Sequence, residues 1–185
     1  MRKEYGKALR DMFAALMKAK LPEWKPAQLP KSHYFGGERG FVLDRSPAAW
    51  LVIVLQPNLK DHDAFDVQIG WSAHGRMPEI SMRPCMEEPH SADAAAREEY
   101  LCSLGALAPG NKLPNGWVID PRTFSVDVGQ VLAAMTERQA RITDAQARET
   151  LTPFVDEAFG VLTQQGLPYL ERQLSRFTPS GTGRP

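Results

Sequence analysis

The sequence predicts a single α+β domain, with an antiparallel sheet of three to five strands packed against an N-terminal helix and several C-terminal helices. Three observations carry that reading. Residues 3–20 repeat apolar side chains at helical spacing, residues 50–72 combine a β-branched apolar run with strict alternation, and the second half returns to helical patterning. Strands that follow one another through short connections favour an antiparallel sheet, and helices grouped before and after it favour layers of α on β. A chain of 185 residues suits one domain, set here at 1–178, with the polar 179–185 as a flexible tail.

Each element has its own local reason. In 3–20, Tyr5, Leu9, Met12, Phe13 and Leu16 form one stripe and Lys3, Lys7 and Arg10 the opposite one. LPEWKPAQLPKS (21–32) holds three prolines, which cannot continue a helix, and predicts an irregular crossover. HYF (33–35) and FVLDR (41–45) flank GGERG, whose glycines permit a tight hairpin reversal. WLVIVLQ (50–56) is apolar throughout, as expected of a central strand. In FDVQIGWS (65–72), Phe65, Val67, Ile69 and Trp71 alternate with Asp66, Gln68, Gly70 and Ser72, which predicts one core face and one polar, wet face. Residues 93–107 begin with Asp93 and are alanine-rich, predicting a helix with Tyr100, Leu101, Leu104 and Leu107 on one side. WVI (117–119) reads as a short strand. A helix over 126–139 should turn Val128, Val131, Leu132 and Met135 inward. Thr143 and Gln146 have capping-box spacing, and Thr152-Pro153 offers a further helix start. Gly166 can end that helix before a last one in LPYLERQLSRF.

Charge and composition narrow the function. The formal net charge is zero, which argues against bulk nucleic-acid binding through a basic footprint. Residues 1–40 nevertheless carry nine Lys or Arg against four acids, and residues 86–100 carry five acids and a single Arg. The charged, amphipathic start lacks a signal-peptide h-region, and the apolar run AAWLVIVL is too short to span a bilayer. Cys85 and Cys102 are isolated and read as reduced thiols, so a cytoplasmic protein is expected.

Catalytic signals are thin. Asp61, His62, Asp63 and His74 are the most tempting set, but the histidines flank one strand and should stand about 30 Å apart, leaving Asp61-His62-Asp63 as a solvated polar turn. GGERG precedes a strand rather than a helix, so it lacks the dipole that a phosphate loop uses. Cys102 sits among leucines and reads as buried, while Cys85 has Arg83 nearby but Glu87 and Glu88 against it. Adjacent Glu98 and Glu99 would diverge by about 100° on a helix. HExxH, GxSxG, GxGxxG, a Walker loop and zinc-spaced Cys/His sets are all missing from the sequence. Trp50 and Trp71 read as core. Trp24 and Trp117 fall in loop contexts, where an exposed aromatic patch would mark an interface.

The segment AWLVIVLQPNLKDHDAFDVQIGWS, with the helix before it and GLPYLE near the end, resembles small bacterial domains of unknown function, in which a helix leads to a strand ending near Gln and then to F-x-V-x-I-G. The resemblance covers about residues 30–75 and is echoed at 166–172. Some such families look like immunity proteins, and the resemblance transfers no catalytic residue. It implies a non-enzymatic binding protein, without a cofactor, that neutralises a toxin by direct contact. The candidate partner contacts are Glu87, Glu88, Asp93, Glu98, Glu99 and Trp117, an acidic surface suited to a basic toxin. The competing expectation is a small hydrolase or metal-dependent enzyme using His62, Asp63 or His74.

Overall fold

The computed structural model describes residues 1–46, 49–58, 62–79, 97–110, 116–138 and 140–177. Helix α1, Lys3–Lys20, buries Tyr5, Ala8, Leu9, Phe13 and Met17, and its last turn closes with the Leu21 N–H donating to the Met17 carbonyl. Pro22 follows at once, where a further helical turn would lack its donor.

The sheet runs in the order β1 (Lys25–Ala27), β2 (Arg39–Arg45), β3 (Ala49–Pro57), β4 (Ala64–Ser72), β5 (Glu99–Ser103), every neighbour antiparallel. A two-residue β6, Trp117–Val118, pairs with the start of β4. The α+β architecture expected from the sequence is the one observed. The partner of β2, however, lies inside the proline-rich crossover. Pro26 is tolerated because β1 is an edge strand. Residues 33–35 form a turn instead of a strand, with the His33 and Tyr34 N–H groups both donating to the Pro30 carbonyl.

One face of the sheet carries Phe41, Leu43, Leu51, Ile53, Leu55, Phe65, Val67, Ile69 and Trp71 into the main core beneath the helices. The other face was expected to be wet. It is instead covered by Tyr34, Leu29 and Met77, which pack on Val52, Val54 and Leu101. Gln68 and Ser72 are buried there.

Of the helix expected over 93–107, the described part, 97–107, forms β5 and a 3-10 turn, Leu104–Leu107, instead; 93–96 lie outside the described residues. Extended backbone lets Tyr100 and Cys102 enter the main core while Leu101 enters the second cluster, a two-sided burial that one helical face cannot supply. Gly70 makes the pairing close: a Cβ there would stand 1.8 Å from the Tyr100 carbonyl oxygen. Trp71 stacks on Tyr100 at 4.8 Å between ring centroids.

After a 3-10 turn at Pro121–Phe124 come α2 (Val128–Arg138), α3 (Asp144–Val161) and α4 (Leu167–Leu174). The capping box at Thr143 and Gln146 is formed. Thr152-Pro153 starts nothing: α3 runs through Pro153, which sits on an exposed face. Nor does Gly166 stop a helix. A π-helical turn, Leu162–Gly166, joins α3 to α4, and a Cβ on Gly166 would come within 2.8 Å of the Leu104 side chain. α1 packs on α3 through Phe13 and Phe159, whose rings meet edge-on at 6.1 Å. No helix among the described residues is long and apolar enough to cross a membrane.

Candidate docking surface

The start of β4 organises this end of the molecule. Asp63 is fully buried; its carboxylate accepts from the Arg2 backbone N–H at 2.7 Å and from Arg2 Nε at 2.9 Å, and Arg138 Nε stands 3.7 Å away. Its backbone carbonyl accepts from Ile119 and Asp120 at 2.8 and 3.3 Å. The solvated turn expected at Asp61-His62-Asp63 is therefore corrected at Asp63, because two arginines from distant parts of the chain neutralise it inside the fold. Asp61 lies outside the described residues.

Next to it, Asp120 caps the 3-10 turn through the Arg122 N–H and holds the Arg122 guanidinium at 3.0 Å. Arg122 also reaches Glu137 at 2.6 Å. Hydrogen bonds from Arg122 hold both carboxyls, Asp120 and Glu137, below the usual range. Phe124 lies on the His62 ring, with centroids 4.1 Å apart, and His62 Nδ1 is buried with no partner among the described residues.

Helix α2 is thus fastened at its C-terminal end by Glu137 and Arg138. Its apolar stripe is not. Val128, Leu132 and Met135, expected to point inward, are 70%, 58% and 42% exposed, and Val131 is half-buried; Ala134 is the one buried residue of the helix. The correction has a local cause: the side that faces the body carries Ala134 and the Arg138 ion pair, so the larger apolar side chains are turned aside. Val126 is fully exposed and Phe124 is 44% exposed. Among the described residues, Phe35 is the only other large hydrophobic side chain on the surface. Phe124, Val126, Val128, Leu132 and Met135 thus leave five large apolar side chains in solvent within twelve residues.

The residues singled out in the sequence fall elsewhere. Trp117 was expected to be an exposed contact but is 1% exposed and stacks on Phe65 at 5.5 Å, and Trp24 is buried too; the sheet's helix-covered face needs their volume. Glu98 precedes β5 rather than lying on a helix; its side chain is 73% exposed and sits 3.4 Å from His74 Nε2. Glu99 is largely buried, accepting from Ser72 Oγ at 3.1 Å and pairing with Arg76 at 3.3 Å. Glu87, Glu88, Asp93 and Cys85 lie outside the described residues. His62 and His74 flank the nine-residue β4 and are separated by roughly its 30 Å length. Among the described residues, no group of three or more His, Cys, Asp or Glu is placed to hold a metal ion.

Sequence reasoning missed a second polar group, on the far face of the sheet. Gln56 Nε2 donates to buried Glu38 at 2.7 Å, Gln68 Nε2 donates to Gln56 at 3.1 Å, and Ser103 Oγ donates to Asp66 at 2.8 Å. Desolvation pushes the Asp66 carboxyl up to about 7 against the lowering effect of Ser103. The only sequence trace of this group is the polar half of the β4 alternation.

No protein-family model matches the chain, and no curated protein or solved structure does either.

Proposed function

We propose that this chain is a non-catalytic binding protein that acts by holding another protein, with α2 and the turn before it as the contact surface. The observation that carries the reading is the gathering of exposed large apolar side chains on 124–135, five of the six that the described residues leave in solvent. The histidines and carboxylates of the enzymatic alternative support it from the other side: Asp63 is held by Arg2 and Arg138, His62 is stacked on Phe124, and His74 is beside Glu98.

The biological form of that role is neutralisation of a toxin in the cytoplasm, in keeping with the resemblance of residues 30–75 to immunity-like bacterial domains. Glu98, with Glu87, Glu88 and Asp93, then steers a basic partner, because complementary charge raises the association rate. The test is co-expression with the product of the adjacent reading frame, followed by titration of the purified pair. A stoichiometric complex that Leu132→Asp abolishes and Glu98→Lys forms more slowly at low salt is the expected result. Hydrolytic or metal-dependent activity lost in His62→Ala or His74→Ala, with no complex formed, would overturn it.

A further inference from the structure

Residues 1–40 carry nine Lys or Arg against four acids, and at the turn before β2 the bases lie outside while the acid lies inside. Glu38 is buried, where its carboxylate accepts from Gln56 Nε2 at 2.7 Å and from the Phe35 N–H at 2.9 Å. Arg39 opens β2 on the helix-side face, in step with Phe41 and Leu43, so strand alternation sends acid and base to opposite sides of the sheet. Arg10 of α1 reaches the same place: its Nη1 stands 3.5 Å from where a Cβ on Gly37 would lie. Arg39 Nη1 donates to the Glu38 backbone carbonyl at 3.2 Å, and among the described residues no carboxylate pairs with either guanidinium. Glu79, 4.0 Å from His33 of this turn, is held by Arg76 at 2.7 Å.

The turn also fixes an aromatic ring outside. Tyr34 takes the inward position, its hydroxyl donating to the Pro78 carbonyl at 2.7 Å, and Phe35 is left 61% exposed. Gly36 and Gly37 put no side chain over that ring. A Cβ on Gly36 would have nothing within 4 Å, and Gly37 needs the positive φ of 95° that lets the chain turn back into β2.

We infer that this turn, Phe35 with Arg10 and Arg39 at its side, docks an acidic segment of another protein that carries an apolar side chain. It is a contact face separate from α2 and does not depend on the reading of α2. Charge chooses the partner: two guanidiniums without carboxylates accept them in paired hydrogen bonds, and exposed Lys31 adds to the same field. The ring supplies the apolar contact, since aromatic and Arg side chains are enriched at the cores of protein interfaces. The hydrogen bonds of the turn hold Phe35 in place beforehand, which lowers the ordering cost of binding. A nucleic-acid strand asks for a longer track of cations and stacking rings, and a membrane surface for a whole apolar helix face or a lipid chain.

The experiment is fluorescence anisotropy of the full chain with a fluorescein-labelled peptide, EDLEDL, at low salt, with KKLKKL as the control. The expected result is saturable binding of the acidic peptide alone, weakened about tenfold or more by Phe35→Ser or by Arg39→Glu, with melting temperatures unchanged. Added salt weakens it as well, because exposed charges are screened beyond about 10 Å at 0.1 M. Leu132→Asp leaves the peptide affinity as it was, so this face and α2 are tested apart. Absence of saturable binding, equal binding of the basic peptide, or indifference to both Phe35→Ser and Arg39→Glu overturns the inference. Tighter binding to phosphatidylserine vesicles or to oligothymidylate, lost in the same variants, overturns the protein partner in favour of that surface.

Discussion

Helices α1 and α2 carry stripes of the same kind and use them in opposite ways. In α1, Leu9, Phe13 and Met17 recur at i, i+4 and i+8 and are almost completely buried. In α2, Val128, Leu132 and Met135 recur at i, i+4 and i+7 and stay in solvent. The difference lies in what fastens each helix. α1 is held by apolar packing against α3 and the sheet, whereas α2 is held by ion pairs to Asp63 and Arg122. Periodicity establishes that a helix has an apolar side; it does not say which neighbour, or which molecule, that side meets.

The comparison is broken most forcefully from the α1 side. Phe13→Ala removes a ring packed on Phe41 and Phe159 and should cost about 3–5 kcal/mol, read as a lowered urea midpoint. Asp63→Ala should cost nearly as much, about 3–4 kcal/mol, because it leaves Arg2 and Arg138 facing a buried gap; hydrogen exchange would show α2 opening before the sheet.

A smaller effect tests the sheet's second face. The native state keeps Asp66 protonated up to about pH 7, whereas the unfolded chain releases that proton near 3.8, so this group lowers stability as pH rises between those values. Asp66→Asn should therefore stabilise the protein by about 1–2 kcal/mol at pH 8 and hardly at all below pH 4, seen in melting curves at the two pH values. Smallest of all is Leu132→Ala, which should shift stability by no more than about 0.5 kcal/mol. A cost above about 2 kcal/mol there would mean that α2 is packed against its own chain after all.

Much of the fold was legible because it depends on short-range pattern. The α1 stripe, the central run of β3, the alternation of β4 and the capping box at Thr143 are all visible in a dozen residues or fewer. The errors come from long-range partners. The alanines before β5 predict a helix there, while its strand state is set by Gly70 and Trp71 about thirty positions earlier. Loop-forming neighbours predict an exposed Trp117, yet its ring finds Phe65 across the β4–β6 pairing. The Asp63 pairing spans 61 positions to Arg2, a distance over which no periodicity speaks. For the contact surface, the sequence supplied the stripe on 126–139 and assigned it to the wrong side.

The π-helical turn between α3 and α4 acts as a phase adjuster. An α-helix advances about 100° per residue, so the extra residue held in Leu162–Gly166 sets the angle at which everything after it meets the sheet. Winding all of those residues as regular α-helix, with none removed, would swing buried Tyr169 and Leu170 by about a quarter-turn away from the core. The C-terminal helix thus owes its fit to one deliberate miscount in the winding.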